Sequence, residues 1–240
     1  MKASVLILVL MVATSAASAG TITSTLCDTG VATGCAGEVA LTPINGAVDS
    51  NFTITTAPTT GTYYALTYYN AFYLADTTTA DWITTASGPT TSPTLASAVG
   101  LYNYQETITT NGPGMFTFTG DWATDNCGTI LVNGSGITGT GTTIGGGAAA
   151  GCSSTNLSYF QSLTAFSFTV TLNSGTNYLD FNVWNSAVSP TALFVENLAA
   201  SPASSGAVPE PSSVLLTVTG LSLLAVAIIR RRRAGNRTCS

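Results

Sequence analysis

Apolar side chains alternate with polar ones in several segments between residues 116 and 195, and this period of two limits the possible folds most. Successive side chains of a strand point to opposite faces of a sheet, so each segment predicts one strand with an apolar face. No window outside the two termini has a helical period. The alternating residues are Phe116 and Phe118; Ile130 and Val132; Phe166, Phe168, Val170 and Leu172; Leu179, Phe181 and Val183; and Leu193 and Val195.

The polar residues between them are mostly Thr, Asn and Asp, which predict a solvated opposite face for each strand. Turn-forming residues separate the segments: 111–114, 133–134, 173–175 and 189–190. Short strands at this spacing predict an all-β protein, an antiparallel β-sandwich, built as one domain over residues 20–198. The small residues 199–207 predict a linker.

Basic residues are confined to the two ends of the chain: Lys2, Arg230, Arg231, Arg232, Arg233 and Arg237. The chain has no histidine, so residues 20–207 carry no cationic side chain. A nucleic-acid surface is therefore excluded, as are histidine acid–base chemistry, lysine Schiff bases and histidine-bound zinc. The acids of this part are Asp28, Glu38, Asp49, Asp76, Asp81, Glu106, Asp121, Asp125, Asp180 and Glu196. No enzymatic activity is expected.

Four cysteines lie in the same part of the chain, Cys27, Cys35, Cys127 and Cys152. An even number in an exported domain predicts two disulfides, for which three connectivities are possible. We favour Cys27 with Cys35 and Cys127 with Cys152, because the second pair closes a glycine-rich segment. On the loop-entropy model that closure stabilises the fold by about 3.5 kcal/mol. A metal site built from these cysteines is less favoured, since no Cys-x-x-Cys spacing occurs.

The N-terminal segment 1–19 is typical of a secretory signal peptide. Lys2 precedes an apolar stretch, and Ala17-Ser18-Ala19 gives a small-residue cleavage site before Gly20. The C-terminus has an uncharged apolar run over residues 214–229, directly followed by Arg230 to Arg233. As a transmembrane helix, 213–229 would span the membrane marginally, with the arginines on the cytoplasmic side.

The tail resembles the sorting signal of PEP-CTERM proteins. Pro209, Glu210 and Pro211 match its motif within residues 208–213, residues 213–229 match its helix, and Arg230, Arg231, Arg232 and Arg233 match its basic anchor. The signal therefore covers residues 208–233, and residues 234–240 form a cytoplasmic tail. The resemblance implies export through the secretion translocon, an inner-membrane intermediate, and processing by an exosortase. The destination would be the cell surface or an extracellular polysaccharide matrix.

A second resemblance covers about half of the chain. The segments that carry it are similar to a β-domain that recurs in PEP-CTERM proteins: Asp81 to Tyr104, Thr119 to Asn126, Leu131 to Gly134, Gly175 to Asn185 and Ala192 to Glu196. They also look like the galactose-binding-domain-like jelly rolls. Phe194 stands where those modules usually have an arginine.

The residues Asp121, Asp125, Asn126 and Asp180 have two interpretations. Asp125 and Asn126 are predicted to cap a turn with their side chains. The alternative is a calcium site, because all four offer hard oxygen ligands and no ammonium group competes. No other cofactor is expected.

Two further observations leave other functions open. Aromatic residues cluster at Tyr63, Tyr64, Tyr68, Tyr69, Phe72, Tyr73 and Trp82, where they would either pack as strand residues or stack on sugar rings. The pairs Asp76 with Asp81 and Asp121 with Asp125 are the candidates for glycosidase-like chemistry. The predicted function is a structural or adhesive protein of a polysaccharide matrix; the alternatives are a carbohydrate-binding module and a carboxylate-dependent glycan hydrolase.

Overall fold

The structure is a computed structural model that describes residues 20–31, 35, 46–89, 96–146, 152 and 158–203. These residues form antiparallel strands and a short 3₁₀ helix, Tyr159–Gln161. The strands are β1 Val48–Thr56, β2 Tyr64–Thr67, β3 Ile83–Ala86, β4 Gly100–Thr110, β5 Gly114–Asp125, β6 Cys127–Val132, β7 Ser135–Gly136, β8 Gly139–Thr140, β9 Thr143–Ile144, β10 Thr164–Leu172, β11 Gly175–Asn185 and β12 Ala192–Pro202.

All strands belong to one sheet that curls upon itself. The strand order is β7-β6-β11-β4-β1-β2-β3-β12-β5-β10-β8, with β9 beside β6. Side chains from the two halves meet in one core: the rings of Trp122 on β5 and Phe181 on β11 have centroids 5.9 Å apart. This architecture confirms the predicted all-β antiparallel sandwich.

The inward faces agree with the alternation in the sequence. Every predicted apolar position from Phe116 to Val195 contributes to the main core, with Val170 at its margin. On β10 the opposite face is solvated, as predicted: Ser167 and Thr169 are exposed. Burial of one face of each strand thus sets the register of the sheet.

The prediction of a solvated opposite face is wrong for β12 and the end of β5. Ala123, Ala192 and Phe194 lie on that face and are fully buried. They are covered by the chain between β2 and β3, so this part of the sheet is buried on both faces. The alternation of residues along a strand does not show whether a segment distant in sequence covers the strand's second face.

The predicted linker is also wrong at its start. β12 runs to Pro202, and its last residues pair with β5, from Ala199 opposite Thr119 to Pro202 opposite Phe116. The compact unit that contains the sandwich ends at Ala203. Alanine has low strand propensity, yet Ala200 packs against the core opposite Phe118. Residues 204–207 lie outside the described part.

The turn at Asn133-Gly134 has the predicted backbone. Both residues have positive φ, 52° at Asn133 and 70° at Gly134. This is the left-handed region that a tight hairpin turn requires at both central positions. The Gly134 amide donates to Asp180 Oδ2 at 3.0 Å. The hairpin is therefore tied to β11 as well as closed upon itself.

Buried carboxylates fix the N-terminal segment 27–31 to the sandwich. Asp28 accepts hydrogen bonds from the amides of Asn197 and Leu198 at 2.9 and 2.8 Å. Asp49 accepts from the Gly30 amide at 2.8 Å, and Glu106 from the Cys27 amide at 2.7 Å. Backbone amides thus stabilise these buried carboxylates, a role that cationic side chains have in other proteins.

Both disulfides have the favoured connectivity. Cys27 is bonded to Cys35 and Cys127 to Cys152, with Cα atoms 5.5 and 5.7 Å apart. The first bond anchors the N-terminal segment, and the second ties the start of β6 to a residue beyond β9.

The signal peptide 1–19, the motif residues Pro209, Glu210 and Pro211, the predicted transmembrane helix and Arg230 to Arg233 lie outside the described residues. Within residues 20–203 as described, no helix has the length and apolarity needed to cross a membrane.

Candidate functional site

A second hydrophobic cluster lies on the outer face of β12 and β5. We call it the outer cluster; its buried members are Tyr68, Ala80, Trp82, Ala123, Ala192 and Phe194, and Tyr73, Leu74, Phe160 and Leu163 pack at its margin. It is formed mainly by the chain that connects β2 to β3.

Aromatic contacts hold this connection against the sheet. The Tyr73 ring lies 4.7 Å from that of Trp82 and 4.9 Å from that of Phe160, and Trp82 lies 5.4 Å from Phe194. Trp82 also donates from Nε1 to the Leu74 carbonyl at 2.8 Å. Each of these large side chains buries apolar area and fixes its neighbours, so the connection has one defined conformation.

Two aromatic side chains of the same connection point outward. Tyr69 is 55 % exposed and Phe72 is 79 % exposed, while the flanking Tyr68 and Tyr73 point into the outer cluster. We call residues 68–73 the aromatic loop. Its two exposed rings are placed on the surface by the two buried ones.

Asn70 stabilises the turn between the exposed rings. Its Oδ1 accepts from the Phe72 amide at 3.0 Å, and its Nδ2 donates to the Tyr68 hydroxyl at 3.2 Å. The Tyr73 amide donates to the Asn70 carbonyl at 2.9 Å. The exposed rings therefore belong to a turn whose backbone is already ordered before any ligand binds, which lowers the entropy cost of binding.

The structure thus separates the predicted aromatic residues by role. Tyr68 and Trp82 pack in the core, as one interpretation predicted, and Tyr63, Tyr64 and Tyr73 are half-buried. Only Tyr64 lies in a strand, β2. Tyr69 and Phe72 are the members of this set whose side chains are exposed.

Asp125 lies directly beneath the aromatic loop. It is 5 % exposed and accepts hydrogen bonds from the Tyr73 hydroxyl and from the Asn126 side chain. Burial raises the pKa of Asp125 to about 6, and the two hydrogen bonds oppose that rise. Asn126 caps the neighbouring turn, since its Oδ1 accepts from the Ser186 amide at 2.9 Å.

Three further half-buried carboxylates lie beside the outer cluster, Asp76, Asp121 and Glu196. Asp121 and Glu196 stand opposite each other on β5 and β12, on the same face as Ala123 and Phe194. Burial is the largest cause that raises the pKa of Glu196, and the negative charges of Asp121 and Asp28 add to the rise. A hydrogen bond from the Thr77 side chain lowers the same pKa. Asp76 accepts from the Trp82 amide at 3.0 Å, and burial raises its pKa. The face that presents the aromatic loop is therefore acidic.

The predicted calcium ligands fall into three separate environments. Asp121 accepts from the Asn197 side chain at 3.4 Å, and Asp125 and Asn126 are bonded to each other. Asp180 lies on β11, where Gln105 and Gly134 donate to it at 2.8 and 3.0 Å. Four residues of strand separate Asp121 from Asp125 by about 13 Å. No group of three or more acidic, histidine or cysteine residues in the described part is placed to hold a metal ion. Calcium binding stays a prediction.

The two predicted catalytic pairs have different geometries. Asp121 and Asp125 are too far apart for glycosidase chemistry, which needs roughly 5 to 9.5 Å. Burial and, to a smaller extent, the negative charge of Asp76 raise the pKa of Asp81 to about 7. However, Asp81 is only 3 % exposed, and a sugar on the surface does not reach its carboxyl group.

The contacts by which Asn70 and Phe160 hold the aromatic loop were not predicted from the sequence. An asparagine two residues before an amide that it caps is the signal of an Asx turn, and Asn70 with Phe72 fits that spacing. Phe160 lies in the 3₁₀ helix, far from the loop in sequence, and its contact with Tyr73 had no local signal.

Comparisons with known proteins find similarity only among solved structures. No family model and no curated protein matches the chain. A family 35 carbohydrate-binding module from Paenibacillus barcinonensis aligns with a TM-score of 0.33 and 12 % identity, over 65 % of this chain and 96 % of the module. One from Cellvibrio japonicus gives a TM-score of 0.33 and 14 % identity over 65 % and 96 %, and one from Clostridium thermocellum 0.30 and 13 % over 64 % and 89 %.

Proposed function

We propose that this chain is an exported carbohydrate-binding protein, without catalytic activity, that attaches to polysaccharide through its aromatic loop. The observation that carries the proposal is the pair of exposed rings, Tyr69 and Phe72, held on a turn that Asn70 and the outer cluster fix in place. A matrix or adhesive role then follows from the same binding.

Sugar binding fits the chemistry of this loop. The flat faces of pyranose rings pack on aromatic side chains, and neighbouring polar groups bond the sugar hydroxyls. Asn70 within the loop carries an amide, and Asp76, three residues after the loop, carries a carboxylate. These groups accept and donate hydrogen bonds without requiring a charged ligand.

Replacing either exposed ring should weaken binding. We expect Tyr69→Ala and Phe72→Ala each to cost roughly 1 to 2 kcal/mol, about five- to thirtyfold in Kd, because each removes most of its own stacking surface. The measurement is an array of polysaccharides, followed by titration calorimetry with the best-bound one.

Two exposed apolar residues away from the loop serve as controls. Met115 is 51 % exposed and Tyr178 is 38 % exposed. Met115 lies at the start of β5, at the opposite end from Asp125, and Tyr178 lies on β11. Ten residues of extended strand place Met115 about 33 Å from Asp125. Met115→Ala and Tyr178→Ala should bind as the unaltered protein does. Retention of full affinity by both loop variants, or binding to no polysaccharide, would contradict the proposal.

Delivery to the cell surface through the PEP-CTERM tail is a separate part of the proposal. It is supported by the order of Pro209-Glu210-Pro211, the apolar run and four arginines in the sequence. Exosortase processing should remove everything from the apolar run onward, since four arginines do not cross the membrane.

An epitope tag placed after Ser240 tests this processing. The tag should be lost from the mature protein and kept in Glu210→Ala, which stays uncut in the inner membrane. A tag that persists in both proteins would show a permanent anchor instead.

A further inference from the structure

All charged side chains in the exported part of this chain are negative. Residues 20–207 contain ten carboxylates and no lysine, arginine or histidine. A sugar acid, sulfate or phosphate on a polysaccharide would therefore find no cationic partner in this part of the protein. A long polyanion would also be repelled, most strongly at low ionic strength.

Four of the described carboxylates lie on the face that carries the aromatic loop. The outer face of β5 presents Asp121 and Asp125, and Glu196 lies opposite Asp121 on β12. Asp76 is in the same connection as the loop, four residues after Phe72. Asp76 is bonded to Trp82 and Asp125 to Tyr73, both residues of the outer cluster from which the loop projects.

The same exposed rings attract cations. The face of an aromatic ring is the negative end of its quadrupole, so an ammonium group held near it is favoured. An amine on a sugar ring would sit beside Tyr69 or Phe72 while the ring itself stacks. The charge of that amine would be opposite to that of every carboxylate in the described part of the chain.

On the basis of the proposed function, we infer that the aromatic loop selects polysaccharides with free amino groups, that is, incompletely N-acetylated amino-sugar polymers. The selectivity combines two interactions. The rings of Tyr69 and Phe72 bind the sugar face, and the negative field of the carboxylates on the same face of the sheet favours its ammonium group.

The test compares four oligosaccharides of equal length with the full chain in mild detergent. Three share a β-1,4-linked backbone and differ only at C2: a hydroxyl in the cello-oligosaccharide, an acetamido group in the chito-oligosaccharide, and an ammonium group in its deacetylated form. The fourth is an oligogalacturonate. At a pH that keeps the amine protonated, the deacetylated form should bind at least about fivefold more tightly than the other two β-1,4 compounds, and the galacturonate most weakly.

Ionic strength and two variants separate charge from stacking. From roughly 0.01 M to roughly 1 M salt the screening length falls from about 30 Å to about 3 Å, so the preference for the amine should shrink. Asp76→Asn and Glu196→Gln should lower the ratio of amine to acetamido affinity. Asp180→Asn, which makes the same charge change on β11, should lower it less.

The outcomes distinguish selectivity for amino groups from carbohydrate binding itself. Equal affinity for the three β-1,4 compounds, or preference for the galacturonate, would overturn the inference and leave carbohydrate binding intact. Binding to none of the four, together with no binding on the polysaccharide array, would contradict both. A preference for the amine that survives high salt and all three substitutions would also overturn the inference.

Discussion

The free energy of unfolding should rise by about 5 kcal/mol when the pH falls from about 8 to about 5. Three acids in the interior cause this rise, Asp49, Asp81 and Asp125, each no more than 5 % exposed. Burial is the largest cause in each case, and it raises their pKa values from 3.8 to about 6, about 7 and about 6. The described residues include no cationic side chain that would offset the burial.

The sign follows from proton uptake. Between the unfolded and the folded pKa values, the folded protein binds more protons than the unfolded chain does. The stabilisation is therefore fully present below about pH 4 and is lost as the pH rises through 6 and 7. Most proteins with ion-paired carboxylates show the opposite slope, because acid removes their pairs.

Urea unfolding followed by tryptophan fluorescence at a series of pH values measures this slope. In Asp81→Asn the slope should become shallower, since that side chain no longer ionises and Asp81 has the highest folded pKa of the three. Stability that falls steadily on acidification from neutral pH would contradict the account.

Loss of the Cys127–Cys152 disulfide should lower stability by about 3.5 kcal/mol. The two cysteines are 25 residues apart in sequence, and the entropy of that loop in the unfolded chain sets the size of the effect. The Cys127→Ser, Cys152→Ser double variant is compared with the unaltered protein by urea unfolding without reductant.

The other disulfide provides the matched comparison. Cys27 and Cys35 are only 8 residues apart. Their double serine variant should therefore lose less, about 2.5 kcal/mol on the same model. Equal losses, or a larger loss at the shorter loop, would show that native contacts rather than loop entropy govern the effect.

The strand faces could be predicted because the signal is local. A period of two along one strand marks its buried side, and residues such as Phe181 and Val183 took the predicted positions. The Asn133-Gly134 turn was equally local, since its φ values depend on those two residues. The disulfide pairing could be favoured because Cys127 and Cys152 enclose a glycine-rich segment.

The aromatic loop could be predicted only in composition. The sequence shows tyrosines and phenylalanine together, but whether a ring points in or out depends on contacts such as that of Tyr73 with Phe160. The outer cluster depends likewise on Ala123 and Phe194 being covered by another segment. The positions of the predicted calcium ligands also depend on the fold, since Asp121 and Asp125 lie about 13 Å apart along β5 and Asp180 lies on β11.

Hydrogen exchange measured by mass spectrometry tests most directly whether the aromatic loop binds carbohydrate. The full chain is compared with and without a saturating concentration of the polysaccharide that it binds best. The account predicts slower exchange in peptides that contain residues 68–76, with little change at the outer face of β4 and β11, where Asn103 and Asn182 lie. Protection on β4 and β11 with an unchanged aromatic loop would contradict it.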